Sequence, residues 1–371
     1  MYRFGFVMEQ MLGHITHHQN LERWAKEQLE IEPTWMPVLE SQSDIWEKFP
    51  FVRNNWSLKA SLRALSQLRE NSLRGKEPFD ALFLHTQTTA LFAADWMKKI
   101  PSIVSIDATP INYDTVGEAY GHNTGNNSWL EDRKYHWHRS TFLNAIHIVS
   151  WCEWAKDSLV KDYQIPAEKI SVIPPGVDQK NWSFGKNKRE ARLGEEKIRL
   201  LFVGGDFERK GGLTLLKAFR ESLYSHCELD IVTRDEKIKT ELTAEPGLRI
   251  HTGLKANSET LKSLYECADI FVFPTEADCL PVAVMEAMMA GLPVITTNVG
   301  AISEEVKSGE NGVIIQPKDP IALGNAVLAL AKNDQRRRSM GVVGREIAEK
   351  RFDAAQNYGK IFDLMKKIAK K

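Results

Sequence analysis

The stretch FPTEADCLPVAVMEAMMAGLP, Phe273 to Pro293, decides the reading of this chain. The apolar run Ile270 to Phe273 predicts a strand that ends as this stretch begins. Val282 to Ala290 reads as a helix, and Gly291-Leu292-Pro293 stops it. Asp278 therefore lies on the turn after the strand, and Glu286, eight positions later, lies on the helix. In open α/β sheets ligands bind at the carboxyl ends of the strands. A carboxylate accepts from two vicinal hydroxyls at once, so this pair suits a polyhydroxylated ligand. Glu286 is surrounded by Val282, Val284, Met285, Met288 and Met289, which leave it no solvated face. Asp278 is also well placed to cap the helix, and the two roles are compatible.

Working outward, short apolar runs alternate with helical patterns along the whole chain. Strands are predicted at Phe4 to Met8, Ala81 to Leu84, Ile103 to Ile106, Ile146 to Ser150 and Ser171 to Ile173. The second half adds Leu200 to Val203, Leu229 to Val232, Leu248 to His251, Ile270 to Phe273, Val294 to Thr296 and Val313 to Ile315. Nearly continuous apolar strands belong to parallel sheets buried on both faces. Helices between them make βαβ crossovers, so the fold class is α/β with two doubly wound sheets. Pro174-Pro175-Gly176 marks the boundary, and the polar stretch Ser183 to Glu196 reads as a connector. The expected domains are 1–177 and 178–352.

A chain of 371 residues suffices for two domains with separate cores, and 43% hydrophobic with 26% charged residues is a soluble globular composition. The 49 basic and 49 acidic residues cancel, which removes a global electrostatic case for nucleic-acid binding. No apolar run is long enough to span a bilayer. MYRFGFVM reads as a first strand and not as a signal peptide. Cys152, Cys227, Cys267 and Cys279 form no Cys-x-x-Cys pair, so free thiols in a reducing cytoplasm are expected.

Gly204 to Gly212 follows a strand and opens a helix. Glycines let backbone N–H groups approach an anion, and Arg209 and Lys210 add full charges. Such a loop suits a diphosphate leaving group, or is a surface turn with two solvated cations. Lys210 precedes Gly211 instead of following it, so this is not a P-loop; no Gly-x-Gly occurs, so the dinucleotide fingerprint is absent. No Asp-x-Asp occurs either, and a metal-bridged diphosphate is not expected. In the first half, Gly13-His14 follows strand one, with His17 and His18 next. His14 and His18 have the spacing of a helical metal pair, but no third ligand is evident; a polar helix start is the other reading. In SIDATPINYD, Ser105 to Asp114, Asp107 and Thr109 reach the carboxyl edge of a strand. Asp107 is suited to orient an acceptor hydroxyl or to bond its own turn. The helix Trp56 to Arg69 places Leu58, Leu62 and Leu65 on one side, with Lys59, Arg63 and Arg69 elsewhere. It is a core-facing helix or, together with Lys366, Lys367, Lys370 and Lys371, a weak contact with the inner face of a membrane.

The acidic pair resembles the acidic-x7-acidic signature of retaining glycosyltransferases of the GT-B fold, family 4. Three further stretches agree: VIPPGVDQKNW (Val172 to Trp182), LLFVGGDFERKGGLTLLKAF (Leu200 to Phe219), and TTNVGAISEEV with NGVII (Thr296 to Val306, Asn311 to Ile315). Asp278 stands where the family usually has Glu, Cys279-Leu280-Pro281 fills its Gly-Phe-Gly turn, and Asp206 replaces its common Arg. The resemblance implies two Rossmann-like domains facing across a cleft. The first would take the acceptor, with helix 353–371 packing back on it, and the second the nucleotide-sugar donor. It implies hexose transfer from a nucleotide diphosphate sugar, UDP by default, to a hydroxyl, without metal or cofactor. By the same resemblance Lys210 and Arg209 neutralise the diphosphate and Asp278 contacts the sugar. Cys279 and Leu280 offer backbone N–H groups, and Glu286 takes the ribose. Gly205, Leu254 and Glu304 (or Glu305) line the donor, while Gly13 and His14 lie near the phosphate or acceptor. A sugar-nucleotide 2-epimerase of the same fold, a non-catalytic sugar-nucleotide binding protein and a pyridoxal-dependent phosphorylase are the alternatives.

Overall fold

The computed structural model describes residues 1–11, 13–74, 78–116, 128–182, 184, 197–242 and 245–369. They form two compact α/β units. One contains Met1–Thr115, the chain that leads to Gly176, and the helix from Ala354; the other contains Val177–Asp353. Among the described residues no helix is long and apolar enough to cross a membrane.

In the first unit the strands are β1 (Tyr2–Gln10), β2 (Ile31–Leu39), β3 (Ala81–His85), β4 (Ser102–Ile106), β5 (His147–Ser150) and β6 (Ile170–Val172). All pair in parallel, in the order β2-β1-β3-β4-β5-β6. Alternation splits their side chains between two cores. Val7, Leu84 and Val104 pack with Ala60, Ala64 and Leu68 of the helix Trp56–Arg74. Phe4, Phe6, Phe83 and Ile103 pack with Tyr358, Ile361, Phe362 and Met365 of the helix Ala354–Ala369. That last helix begins one residue later than expected, and it is anchored by polar bonds as well. Asn357 Nδ2 donates to the Pro174 carbonyl at 3.2 Å, and the Gly176 N–H donates to Tyr358 Oη at 3.2 Å.

This unit departs from expectation in an added strand and in the placement of Arg63. β2 was not foreseen, because Pro33 and Pro37 interrupt it. It lies at the sheet edge and pairs only with β1, where a missing N–H is tolerated. The helix Trp56–Arg74 faces the core, one of its two readings, but through Ala60, Ala64 and Leu68; of its expected outward cations Arg69 is exposed while Lys59 and Arg63 are tied to acids. Lys59 Nζ bonds Glu47 at 3.0 Å, and Arg63 is turned inward with 3% exposure. Its guanidinium bonds Asp44, Glu47 and the carbonyls of Leu39, Glu40 and Gln42, so the charge is spent on fixing the preceding loop. Lys370, Lys371 and all of Ser183 to Glu196 except Phe184 lie outside the described residues.

The second unit holds β7 (Ile198–Val203), β8 (Cys227–Val232), β9 (Leu248–His251), β10 (Ile270–Phe273), β11 (Val294–Thr297) and β12 (Gly312–Ile315). They too are parallel, in the order β12-β11-β10-β7-β8-β9. From β7 the chain moves to β8 and β9 on one side, then returns to β10 on the other. The reversal brings the loops after β7 and β10 side by side, at the switch point where such sheets bind ligands.

Candidate active site

Backbone geometry locks those two loops together. Gly211 has φ +79°, and a Cβ there would stand 1.9 Å from the Pro274 carbonyl oxygen. Glycine alone meets both demands. Gly211→Ala is expected to lower the melting temperature of the second unit and to displace Lys210. The left-handed backbone alone costs about 1–2 kcal/mol. Calorimetry together with nucleotide affinity checks this; an unchanged melting temperature would contradict it.

Lys210 Nζ is hydrogen-bonded to Asp278 Oδ2, so the structure joins two of the expected site residues across the switch point. The ammonium also lies 5.4 Å from the centre of the Phe273 ring. Burial pulls the Lys210 pKa down, and the Asp278 charge opposes that pull. Arg209 behaves differently from expectation. Its Nε bonds Asp206 at 2.8 Å and its Nη1 bonds the Ala277 carbonyl at 2.8 Å, leaving the residue 6% exposed. Asp206, three positions earlier, turns the guanidinium inward to brace the loop after β10. A different cation, Arg234, is exposed at the end of β8, with its stem 3.4 Å from a Cβ built on Gly205. Sequence reading missed it because the approach exists only once β8 lies beside β7.

After β10, the Cys279 N–H donates to Asp278 Oδ1 at 3.1 Å, not outward as expected. Asp278 does not cap the following helix, Val282–Met289; Pro281 occupies that place without a side-chain bond. Cys279 and Leu280 are buried. Gly300, at φ +54°, lets the late loop rest on the Asp278 carbonyl, where a Cβ would come within 2.0 Å. Glu304 is half-buried beside Arg351 at 3.8 Å. Its neighbour Glu305 is wholly buried; burial, then the charge of Asp278, holds its pKa well above the carboxylate range. Glu286 is 5% exposed and accepts a hydrogen bond from Tyr265 Oη at 2.9 Å. Burial raises its pKa to about 7, with the Tyr265 bond acting in the opposite direction. Tyr265, on the preceding helix Glu259–Cys267, was also not foreseen. His251 Nε2 meets Asp230 Oδ1 at 2.8 Å and fixes the start of the loop that carries half-buried Leu254.

In the first unit, Gly13 opens the helix Gly13–Ala25 with open space around its missing Cβ. His14 lies between two carboxylates: Nε2 is 3.3 Å from Asp107 Oδ2 and Nδ1 is 3.4 Å from Glu9 Oε2. Burial alone would depress this imidazole, but the charge of Asp107 and its hydrogen bond, with the Glu9 carboxylate beside the other ring nitrogen, raise its pKa to about 10. Asp107 is depressed in turn: His14 and the Tyr113 hydroxyl, 3.2 Å away, outweigh burial. Sequence reading paired neither Glu9 nor Tyr113 with this site, although an acid closing the apolar run of β1 was visible. His85, at the end of β3, packs against His14 and Trp151, and His17 packs against His85 and Trp151. His18 turns to Gln10 at 2.7 Å, so it does not converge with His14 on a metal. Among the described residues no group of three His, Cys, Asp or Glu is arranged to hold a metal ion.

Comparison with known proteins bears on the family and the fold. Residues 183–347 match the family model described as glycosyl transferases group 1, and residues 31–181 match that of glycosyltransferase family 4. An uncharacterized glycosyltransferase of Methanocaldococcus jannaschii is 25% identical over 75% of this chain and 72% of its own length. A D-inositol 3-phosphate glycosyltransferase of Corynebacterium kroppenstedtii is 26% identical over 62% of this chain, which spans 54% of that protein. The crystal structure of Anabaena HepE in complex with UDP-glucose superposes with a TM-score of 0.70 at 14% identity, covering 99% of this chain and all of that one.

Proposed function

Because the chain belongs to the group 1, family 4 glycosyltransferases, we propose that it moves a hexose from a UDP-sugar to an acceptor hydroxyl with retention of configuration. The observation that carries this reading is the Lys210–Asp278 pair at the sheet's switch point, with Glu286 on the helix that follows. In the free protein the ammonium and the carboxylate neutralise one another. Donor binding would exchange these partners: Lys210 meets the diphosphate, and Asp278 is released to the sugar hydroxyls. As the bond from the sugar's anomeric carbon to phosphate breaks, its electron pair goes to the diphosphate oxygen. Preorganised cations oppose that growing charge most effectively in a site removed from water. Lys210 carries this role, with Arg234 as the second cation. The acceptor oxygen bonds the anomeric carbon on the face the phosphate leaves, and its proton passes to the departing phosphate. Glu286 accepts from the ribose hydroxyls, and the edge of the first unit bearing His14 and Asp107 takes the acceptor. The structures of HepE with UDP and with UDP-glucose support UDP as the nucleotide. We further propose that catalysis is metal-independent and that the protein works in the cytoplasm.

The test is a panel of nucleotide sugars screened by thermal shift, then incubated with hydroxyl acceptors. A ligand at a hundredfold excess over its Kd stabilises the folded state by about 2.7 kcal/mol, a readily measured shift. UDP release coupled to a glycosylated product is expected. UDP-sugar interconversion without an acceptor would establish the 2-epimerase instead, and binding without turnover a non-catalytic role.

A further inference from the structure

The charge distribution at the edge of the first unit bears on what the acceptor is. Two carboxylates, Glu9 and Asp107, face one imidazole, His14, so the cluster holds at most one positive charge against two negative ones. Glu9 is fixed: Trp56 Nε1 donates to its Oε1 at 2.5 Å and Thr86 Oγ1 to its Oε2 at 2.6 Å. Tyr113 Oη donates to Asp107, so neither acid is left to swing away. Beneath them His17, depressed to about 3 by burial, and His85, depressed well below the ordinary range for the same reason, are neutral rings that add no cation. The segments that follow β1, β3, β4 and β5 in sequence, residues 10–22, 86–97, 107–116 and 151–155, contain no Lys or Arg. Lys59, whose ammonium lies 5.9 Å from the centre of the Trp56 ring, is bonded to Glu47 at 3.0 Å. A phosphate or carboxylate is recognised by the Arg fork or the Lys ammonium, whereas carboxylates and neutral imidazoles bond hydroxyls.

Resting on the glycosyltransferase reading above, we propose that the acceptor is an uncharged polyol, with no phosphate or carboxylate beside the hydroxyl that is glycosylated. Glu9 acts as a positioning residue, holding His14 against Asp107, and Asp107 receives the acceptor's hydroxyl.

The experiment compares kcat/KM for matched acceptors with the full chain and its best UDP-sugar: myo-inositol against inositol 1-phosphate, and glucose against glucose 6-phosphate. The uncharged member is expected to be preferred by ~30-fold or more. Glu9→Gln and Asp107→Asn each remove one negative charge. Whatever they do to the absolute rate, each is expected to narrow that ratio several-fold, and either variant suffices if the other does not fold. A preference for the phosphorylated members, or a ratio unmoved by both substitutions, overturns this proposal while the glycosyltransferase reading stands. If no acceptor of either kind is glycosylated and no UDP is released, the reading of function falls, and this proposal with it.

Discussion

Replacing Lys210 with alanine is expected to lower turnover by ~10²–10³-fold at saturating donor, as the loss of one preorganised donor at a developing oxyanion does elsewhere. The effect should fall on kcat more than on KM, because the diphosphate gains charge only as the sugar leaves it. The same change leaves Asp278 buried at 8% exposure without its cation. Removing one partner of a buried pair costs about 3–5 kcal/mol, so the melting temperature should fall as well. The double variant Lys210→Ala with Asp278→Asn separates the two effects: it restores stability but not turnover. Both properties are measurable on one preparation, by calorimetry and by UDP release. Wild-type turnover in a folded Lys210→Ala protein would remove the basis of the proposed chemistry. Arg209→Ala should behave differently, with its main cost in stability, since its bonds go to Asp206 and the Ala277 carbonyl.

Glu286→Gln is expected to weaken UDP binding by ~10–100-fold, the scale of hydrogen bonds to a charged acceptor, about 1.5–3 kcal/mol. The pH dependence gives a second reading of the same residue. Burial raises the Glu286 carboxyl to about 7 from an ordinary 4.5. Only the ionised form accepts from both ribose hydroxyls, so UDP affinity should rise as pH increases through about 7. Folding stability runs the other way. A raised acid contributes stability that is fully present below its unfolded value of 4.5 and is lost as pH rises through about 7. Titration calorimetry against pH would show the first trend and thermal melts of the free protein the second, and Glu286→Gln should flatten both. Tyr265→Phe removes a hydrogen bond that favours the carboxylate, and should move both transitions to higher pH. A UDP affinity independent of pH in the wild-type protein would mean that Glu286 does not hold the ribose.

The parts of this structure that were legible in the sequence are those that composition and spacing encode locally. Eleven apolar runs gave the parallel strands, and the twelfth, β2, was hidden by two prolines that only an edge position accommodates. Asp278, Glu286 and Lys210 could be named because each follows a strand by a short, fixed interval. That Lys210 and Asp278 bond each other was not legible, since it depends on strand order: β10 lies beside β7 although two strands separate them in sequence. The same reason hid Arg234 beside Gly205. Tyr265 beneath Glu286 and Glu9 beside His14 are close in sequence, and what hid them is how the helix before β10 packs on the one after it and how the chain turns from β1 into the helix Gly13–Ala25. Arg209 was assigned to the diphosphate beside Lys210, and its bond to Asp206 was not legible because an ion pair within a loop depends on how the loop folds. Arg63 is the same case on a larger scale, with five acceptors gathered around a side chain that the sequence places on a helix face.

The placement of the helix Ala354–Ala369 has a consequence for biogenesis. Tyr358, Ile361, Phe362 and Met365 complete one face of a sheet whose first strand is Tyr2–Gln10. On a ribosome, the half of the protein that is made first is therefore the half that is finished last. While residues 177–353 emerge and assemble on their own, Phe4, Phe6 and Phe83 have no lid, and a nascent chain in that condition is a natural client for chaperones.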